Sequence, residues 1–202
     1  MKKWLPIVII LGIILIIGAY LANLNNQLVV LDQKAIAQWA NVESSYQRRA
    51  DLIPNIVSTA KGYAEFEQST LIAVTEARSK ATSVNIDPSN ITPEQLAQYQ
   101  EAQAGVTSAL SRLLAVFERY PDLKANENFK ELINELERTE NRINVERNRF
   151  NEQTLAYNSK RNQVPEKFFA GMLGFPEKTY FKADAGSEKA PEVNFDNIGK
   201  GN

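Results

Sequence analysis

Residues 4–22 read WLPIVIILGIILIIGAYLA, an uncharged and almost wholly apolar run dominated by Ile, Leu and Val. As a helix it would extend about 28 Å, which matches the hydrocarbon core of a bilayer. A buried helix of a soluble domain rarely runs this long without one polar break, so the stretch predicts a transmembrane anchor over residues 1–23. A cleaved signal peptide is the closer rival, because Lys2 and Lys3 supply a basic leader. The apolar run exceeds the usual core of about 7–15 residues, however, and no Ala-x-Ala site follows it, which favours retention. With no cysteine in the chain there is no acceptor for a lipoprotein-type lipid.

Moving outward, neither Gly nor Pro occurs between Ala19 and Ile53, so the anchor can pass without a hinge into the first helix of a water-exposed domain. Leu28, Leu31, Ala35, Trp39, Val42, Tyr46, Ile53, Ile56 and Ala60 recur at three- and four-residue steps, the stripe of a packed helix. Leu28, Val29, Val30 and Leu31 are apolar all round. So close to a membrane, that patch is either enclosed by the bundle or covered by a neighbouring protein. Pro54 interrupts the donor ladder, yet Tyr63, Leu71 and Val74 continue the stripe, which predicts one long kinked helix to about Lys80.

Thr82 to Thr92 gathers Ser, Asn, Asp and Pro and reads as the longest loop of the domain. Thr92, Pro93 and Gln95 form a capping box that opens a second helix running to about Arg119, where Tyr120-Pro121-Asp122 stops it. Asn126 can cap a third helix of about 38 residues, reaching Val164-Pro165. Along it Phe129, Leu136, Ile143, Phe150, Tyr157 and Val164 fall seven apart, a row that implies left-handed supercoiling against a neighbour. The adjacent row, Leu132, Thr139, Glu146, Gln153 and Lys160, becomes polar, which favours a bundle with polar layers. Phe168, Phe169, Met172 and Leu173 read as a short helix closed by Gly174. Phe175 to Phe195 then reads as an extended tail, with Tyr180, Phe181 and Phe195 pinning it to the bundle. Residues 24–196 thus form one all-α domain of three long helices and one short helix, with residues 197–202 disordered.

Composition limits the chemistry. The chain has no histidine and no cysteine, which removes imidazole and thiolate ligands, thiol nucleophiles and the commonest general base. Lys and Arg total 23 against 24 Asp and Glu, so no long-range field gathers phosphate backbones, and nucleic acid is not an expected partner. Ser79 and Lys80 are adjacent and do not face each other on a helix, and the carboxylates occupy solvated helical positions. No catalytic, cofactor or metal residues are therefore assigned.

Lys2 and Lys3 precede the apolar run, and Lys34 is the first basic residue after it. This charge bias predicts a single-pass protein of the bacterial inner membrane with its amino terminus in the cytoplasm and its domain outside. Arg48, Arg49 and Asp51, one turn before Pro54, read as a charged partner site or as register pairs with Glu140 and Arg142 of the third helix. Tyr120 and Asp122 read as a recognition surface or as a turn device. Gly18 and Ala22 make a small-xxx-small pair by which two copies could approach.

Several of these stretches together resemble the bacterial LemA family: Arg48-Arg49-Ala50-Asp51-Leu52-Ile53-Pro54-Asn55-Ile56-Val57 with Lys61-Gly62-Tyr63, Leu113-Leu114-Ala115-Val116 with Tyr120-Pro121-Asp122-Leu123-Lys124-Ala125-Asn126, and Thr139-Glu140-Asn141-Arg142-Ile143. The likeness covers nearly the whole chain, from the amino-terminal span to Gly174-Phe175. It implies a membrane-anchored antiparallel bundle of long helices and brings no catalytic residues. The expectation is a scaffold that sits in the lipid bilayer through its first helix and binds another membrane or envelope protein, or itself. The rival is a tethered module that holds a lipid, peptide or wall fragment in an apolar cavity between helices.

Overall fold

The computed structural model describes residues 4–62 and 67–182, and its regular structure among these is helical throughout. Six helices follow in order: α1 Leu5–Lys61, α2 Gln68–Thr82, α3 Pro93–Phe117, α4 Pro121–Ala125, α5 Glu127–Asn162 and α6 Glu166–Met172. At 1.5 Å per residue, the 57 residues of α1 make a rod of about 85 Å. Pro6 to Leu11 and Ile13 to Ile17 are exposed, and full burial begins only at Leu24 and Leu28. The apolar run therefore projects from the bundle as part of the helix that also forms the core.

Three apolar clusters mark the height of each element along α1. Nearest the projecting end, Leu24 and Leu28 meet Tyr157 and Ala170. In the middle, Trp39, Val42 and Tyr46 meet Ile86, Leu96, Tyr99, Ile143, Phe150 and Phe181. At the far end, Ile53, Ile56 and Ala60 pack with Leu71, Val74, Leu113, Phe117, Leu123 and Phe129. Read in this order, α1 runs outward, α2 back, α3 outward and α5 back, an antiparallel four-helix bundle.

The expected continuous helix to Lys80 is divided in two. α1 passes through Pro54 and ends at Lys61, and α2 folds back along it. Ile56, Val57 and Ala60 on one helix and Leu71 and Val74 on the other face a single core, so their spacing imitates one uninterrupted stripe. Tyr63, assigned to that stripe, lies outside the described residues, as do Phe195 and residues 197–202.

Local signals place the other helices. Thr92 accepts from the Gln95 amide at 3.2 Å while the Gln95 side chain accepts from the Thr92 amide at 3.1 Å, the reciprocal cap expected for α3. Asn126 accepts from the Phe129 amide at 2.9 Å and opens α5. Between them Pro121 does more than stop α3, because it is also the first residue of α4. Along α5, Phe129, Leu136, Ile143, Phe150 and Tyr157 are all buried, whereas Val164 lies beyond the helix and is exposed. α6 closes as expected: Gly174 takes φ +81°, the Phe175 amide donates to the Ala170 carbonyl at 2.9 Å and the Gly174 amide to that of Gly171 at 3.3 Å.

From Phe175 the chain returns along α5 in extended form. Asn158 donates to the Lys178 carbonyl and accepts from the Lys178 amide, at 2.8 and 2.9 Å; Asn151 does the same with Phe181, at 3.0 and 2.9 Å. Two asparagines two turns apart thus serve the backbone that the extended segment leaves unpaired. Phe181 is the pin, stacked on Trp39 at 5.6 Å and 9°. Tyr180, expected to share that role, lies at the surface.

Candidate interaction surfaces and a buried arginine

Nine residues are expected at a partner surface, and the fold separates them into inner and outer groups. Leu28 is completely buried under Tyr157 and Ala170, and Leu31 is half-buried beside it. Val29 and Val30 point away and are exposed. The apolar band is therefore enclosed on one side and open on the other, because four successive residues of a helix go once round it and the bundle covers only part of that turn.

Arg48 and Arg49 divide in the same way. Arg48 is on the outside and pairs with Glu135 of α5, donating from Nε at 2.8 Å. Arg48 and Arg138 hold the Glu135 carboxylate below its usual range, chiefly by hydrogen bonding. Arg49 is a correction to the expected surface site, since only 2% of it is exposed. Its guanidinium donates to Glu140 Oε1 at 2.8 Å and Thr107 Oγ1 at 2.9 Å, and to Gln103 Oε1 at 2.6 Å and the Gln103 carbonyl at 3.1 Å. It also lies 5.1 Å from the Tyr46 ring centre. Five donors in a rigid fork suit this position, where one cation from α1 ties α3 and α5 together. Of the register pairs expected with α5, Arg49–Glu140 is formed, whereas Arg142 is exposed.

Gln103 and Thr107 carry no warning in the sequence, since they stand 54 and 58 residues from Arg49. Above them an open groove of about 430 Å³ lies between α3 and α5, with Gln100, Thr107, Ser111, Glu140, Asn144 and Arg147 on its walls. It is open to water, with polar and apolar side chains mixed along its walls, unlike the enclosed apolar chamber that a lipid or wall fragment would require. Its end is closed by the tail: Gln100 Nε2 and Arg147 Nη2 donate to the Lys182 carbonyl at 3.1 and 2.9 Å.

Asp51 is exposed and accepts from Gln47 at 2.9 Å. Tyr120 packs its ring against the far cluster, and Asp122 is exposed in the first turn of α4, where a carboxylate complements the helix dipole. Leu28 to Leu31 stand at the projecting end and Tyr120 at the far cluster, so the expected residues do not converge on one point. Among the described residues no group of three or more Asp and Glu is placed to hold a metal ion.

The motif likeness extends to whole-chain comparison. A family model described as LemA family matches residues 38–195. Magnetosome protein MamQ 2 of Paramagnetospirillum magneticum is 25% identical over 195 residues, covering 88% of this chain and 71% of that protein. Magnetosome protein MamQ of Magnetospirillum gryphiswaldense is 27% identical over 173 residues, covering 77% of this chain and 64% of that protein. Protein LemA of Metamycoplasma hominis is 27% identical over 119 residues, covering 59% and 51% of the two chains.

Proposed function

Because this chain belongs to the LemA family, we propose that it is a membrane-anchored, non-catalytic scaffold whose stiff helical domain presents its lateral surface to another membrane or envelope protein, or to a second copy. The observation that carries this reading is the continuity of α1. One helix is apolar and exposed through Ile17 and becomes the spine of all three core clusters from Leu24 to Ala60. With no Gly or Pro from Ala19 to Ile53, a tilt of the anchor in the bilayer would be transmitted to the domain rather than absorbed at a hinge.

The single span crosses the bacterial inner membrane with the amino terminus in the cytoplasm, as the position of Lys2 and Lys3 supports. Val29, Val30, Arg48, Asp51 and Asp122 are the residues offered to a partner, being the expected contacts that stay exposed. Two relatives are named for the magnetosome rather than for a reaction, which is in keeping with a structural role.

Photo-crosslinking of the full chain in intact membranes tests the proposal, with a photoreactive amino acid placed in turn at Val30, Arg48 and Asp122. Discrete adducts at these positions are expected, and they should not form when the membranes are dissolved and diluted in detergent before irradiation. An absence of adducts at all three would overturn it. A cysteine introduced near the carboxyl terminus, labelled from outside by an impermeant thiol reagent, tests the orientation separately.

A further inference from the structure

The reading of α1 as a membrane span leaves α6 in an unusual place, and we propose that α6 is a second, shallow membrane contact. Val164, Phe168 and Met172 enter the lipid interface beside the point where α1 leaves it. This inference rests on the proposed anchor and adds a lipid-binding site to it.

Height is the first observation. α5 descends toward the projecting end of α1, the chain turns at residues 163–165, and the tail climbs back along α5 through Lys178 to Phe181. The turn and α6 are thus the part of the folded domain nearest the apolar run. The Phe169 ring meets the Tyr20 ring edge-on at 6.3 Å, and Ala170 packs with Leu24. Tyr20 belongs to the last turn of the 4–22 run, the level at which aromatic rings sit in a bilayer.

Facing is the second. Glu166 and Ala170, one turn apart, are the buried side of α6. Phe168 and Met172, also one turn apart, lie on the other side and are 70% and 83% exposed; Val164 at the preceding turn is 75% exposed. Among the described residues nothing covers these three, and water is a poor neighbour for them. The charge nearest to them does not oppose the contact. Glu166 is neutralised by Lys160 at 2.7 Å, and Lys167 is exposed with a stem long enough to reach a phosphate headgroup.

Continuity selects lipid as the occupant. The patch sits at the same height as the exposed apolar end of α1, so whatever bathes that end also reaches α6. Large apolar side chains on the free side of a helix, with a lysine beside them, suit contact with a lipid interface.

Since the chain has no cysteine, single-cysteine variants carry an environment-sensitive fluorophore at one position only. The full chain would be labelled as Ile14→Cys, Phe168→Cys, Met172→Cys or Glu101→Cys. Each would be placed in phosphatidylcholine–phosphatidylglycerol vesicles whose lipids are brominated either near the headgroup end or near the methyl end of the acyl chains. The labels at 168 and 172 are expected to emit at shorter wavelength than the one at 101 and to be quenched most by the shallow bromines. The label at 14 is expected to be quenched most by the deep ones. Quenching at 14 without quenching at 168 and 172 overturns the α6 contact and leaves the anchor standing. No quenching at 14 removes the anchor and this inference with it. Blue-shifted but unquenched labels at 168 and 172 mean that protein covers α6, which also overturns the proposal.

Discussion

Arg78 Nε donates to the Ala50 carbonyl at 2.6 Å, and that carbonyl is the one Pro54 leaves without its helical donor. In an uninterrupted helix the amide four residues later would serve Ala50, but proline has none. α2 folds back along α1 and delivers the missing donor from outside. The helix can therefore carry a proline in its interior because the hairpin supplies what the proline withholds.

Arg78→Ala should cost about 1–3 kcal/mol, the range for stranding a buried acceptor. In a Pro54→Ala background the amide of residue 54 is available, and the same substitution should cost well under about 1 kcal/mol. Urea denaturation of the four proteins in this cycle gives the coupling directly. Additive effects would show that Arg78 stabilises the hairpin in some other way.

Arg49 and its neighbour Arg48 provide a second contrast. Truncating Arg49 leaves Gln103, Thr107 and Glu140 without their shared donor, so Arg49→Ala should lower stability by about 3 kcal/mol or more. Arg48 pairs with Glu135 at the exposed surface, and Arg48→Ala should cost less than about 1 kcal/mol. Thermal unfolding in detergent micelles separates the two. Equal, small shifts would mean that Arg49 is not the tie between α1, α3 and α5.

What the sequence makes legible here is chemistry that acts over a few residues. Thr92 and Gln95 announce the start of α3, Asn126 that of α5 and Gly174 the end of α6, because each serves backbone groups within one turn. The seven-residue row from Phe129 to Tyr157 shows which face of α5 is buried. The reversal after Lys61 is hidden, since the stripe of a hairpin and that of a single helix have the same period. Gly62 is the one local sign of it. The site is less legible than the fold. Whether Arg49 faces out or in depends on Gln103 and Thr107, which meet it only in three dimensions. In the extended tail, alternation puts Tyr180 and Phe181 on opposite sides, but only the position of Trp39 decides which side is inward.

The same stacking makes the tail separately testable. Phe181 lies against Trp39 and meets Phe150 at 5.5 Å, and its backbone is held by Asn151. Phe181→Ala should release the segment, at a cost on the order of 3 kcal/mol for a lost buried ring. Limited trypsin digestion reads this locally: cleavage after Lys178 and Lys182 should accelerate while the helices keep their protection. An unchanged cleavage rate would show that the asparagine pairs hold the tail without the ring.

Alkaline pH tests the attachment from its other end. Burial, with the Asp32 carboxylate adding to it, pushes the Tyr157 hydroxyl up to about 12, and that hydroxyl donates to the Pro176 carbonyl at 2.7 Å. In the unfolded chain a tyrosine ionises near about 10. The folded state thus keeps a proton that the unfolded state releases, so the contribution is complete below about pH 10 and is lost as pH rises through about 12. Tyr99, also raised chiefly by burial, adds to the same trend. Tyr157→Phe should lose about 1 kcal/mol at neutral pH with the hydrogen bond, yet its stability should fall less steeply between pH 10 and 12 than that of the parent. Urea midpoints at pH 8, 10 and 11.5 for both proteins check this. Parallel curves would show that Tyr157 ionises alike in the two states, and that its contact with Pro176 does not shield the proton.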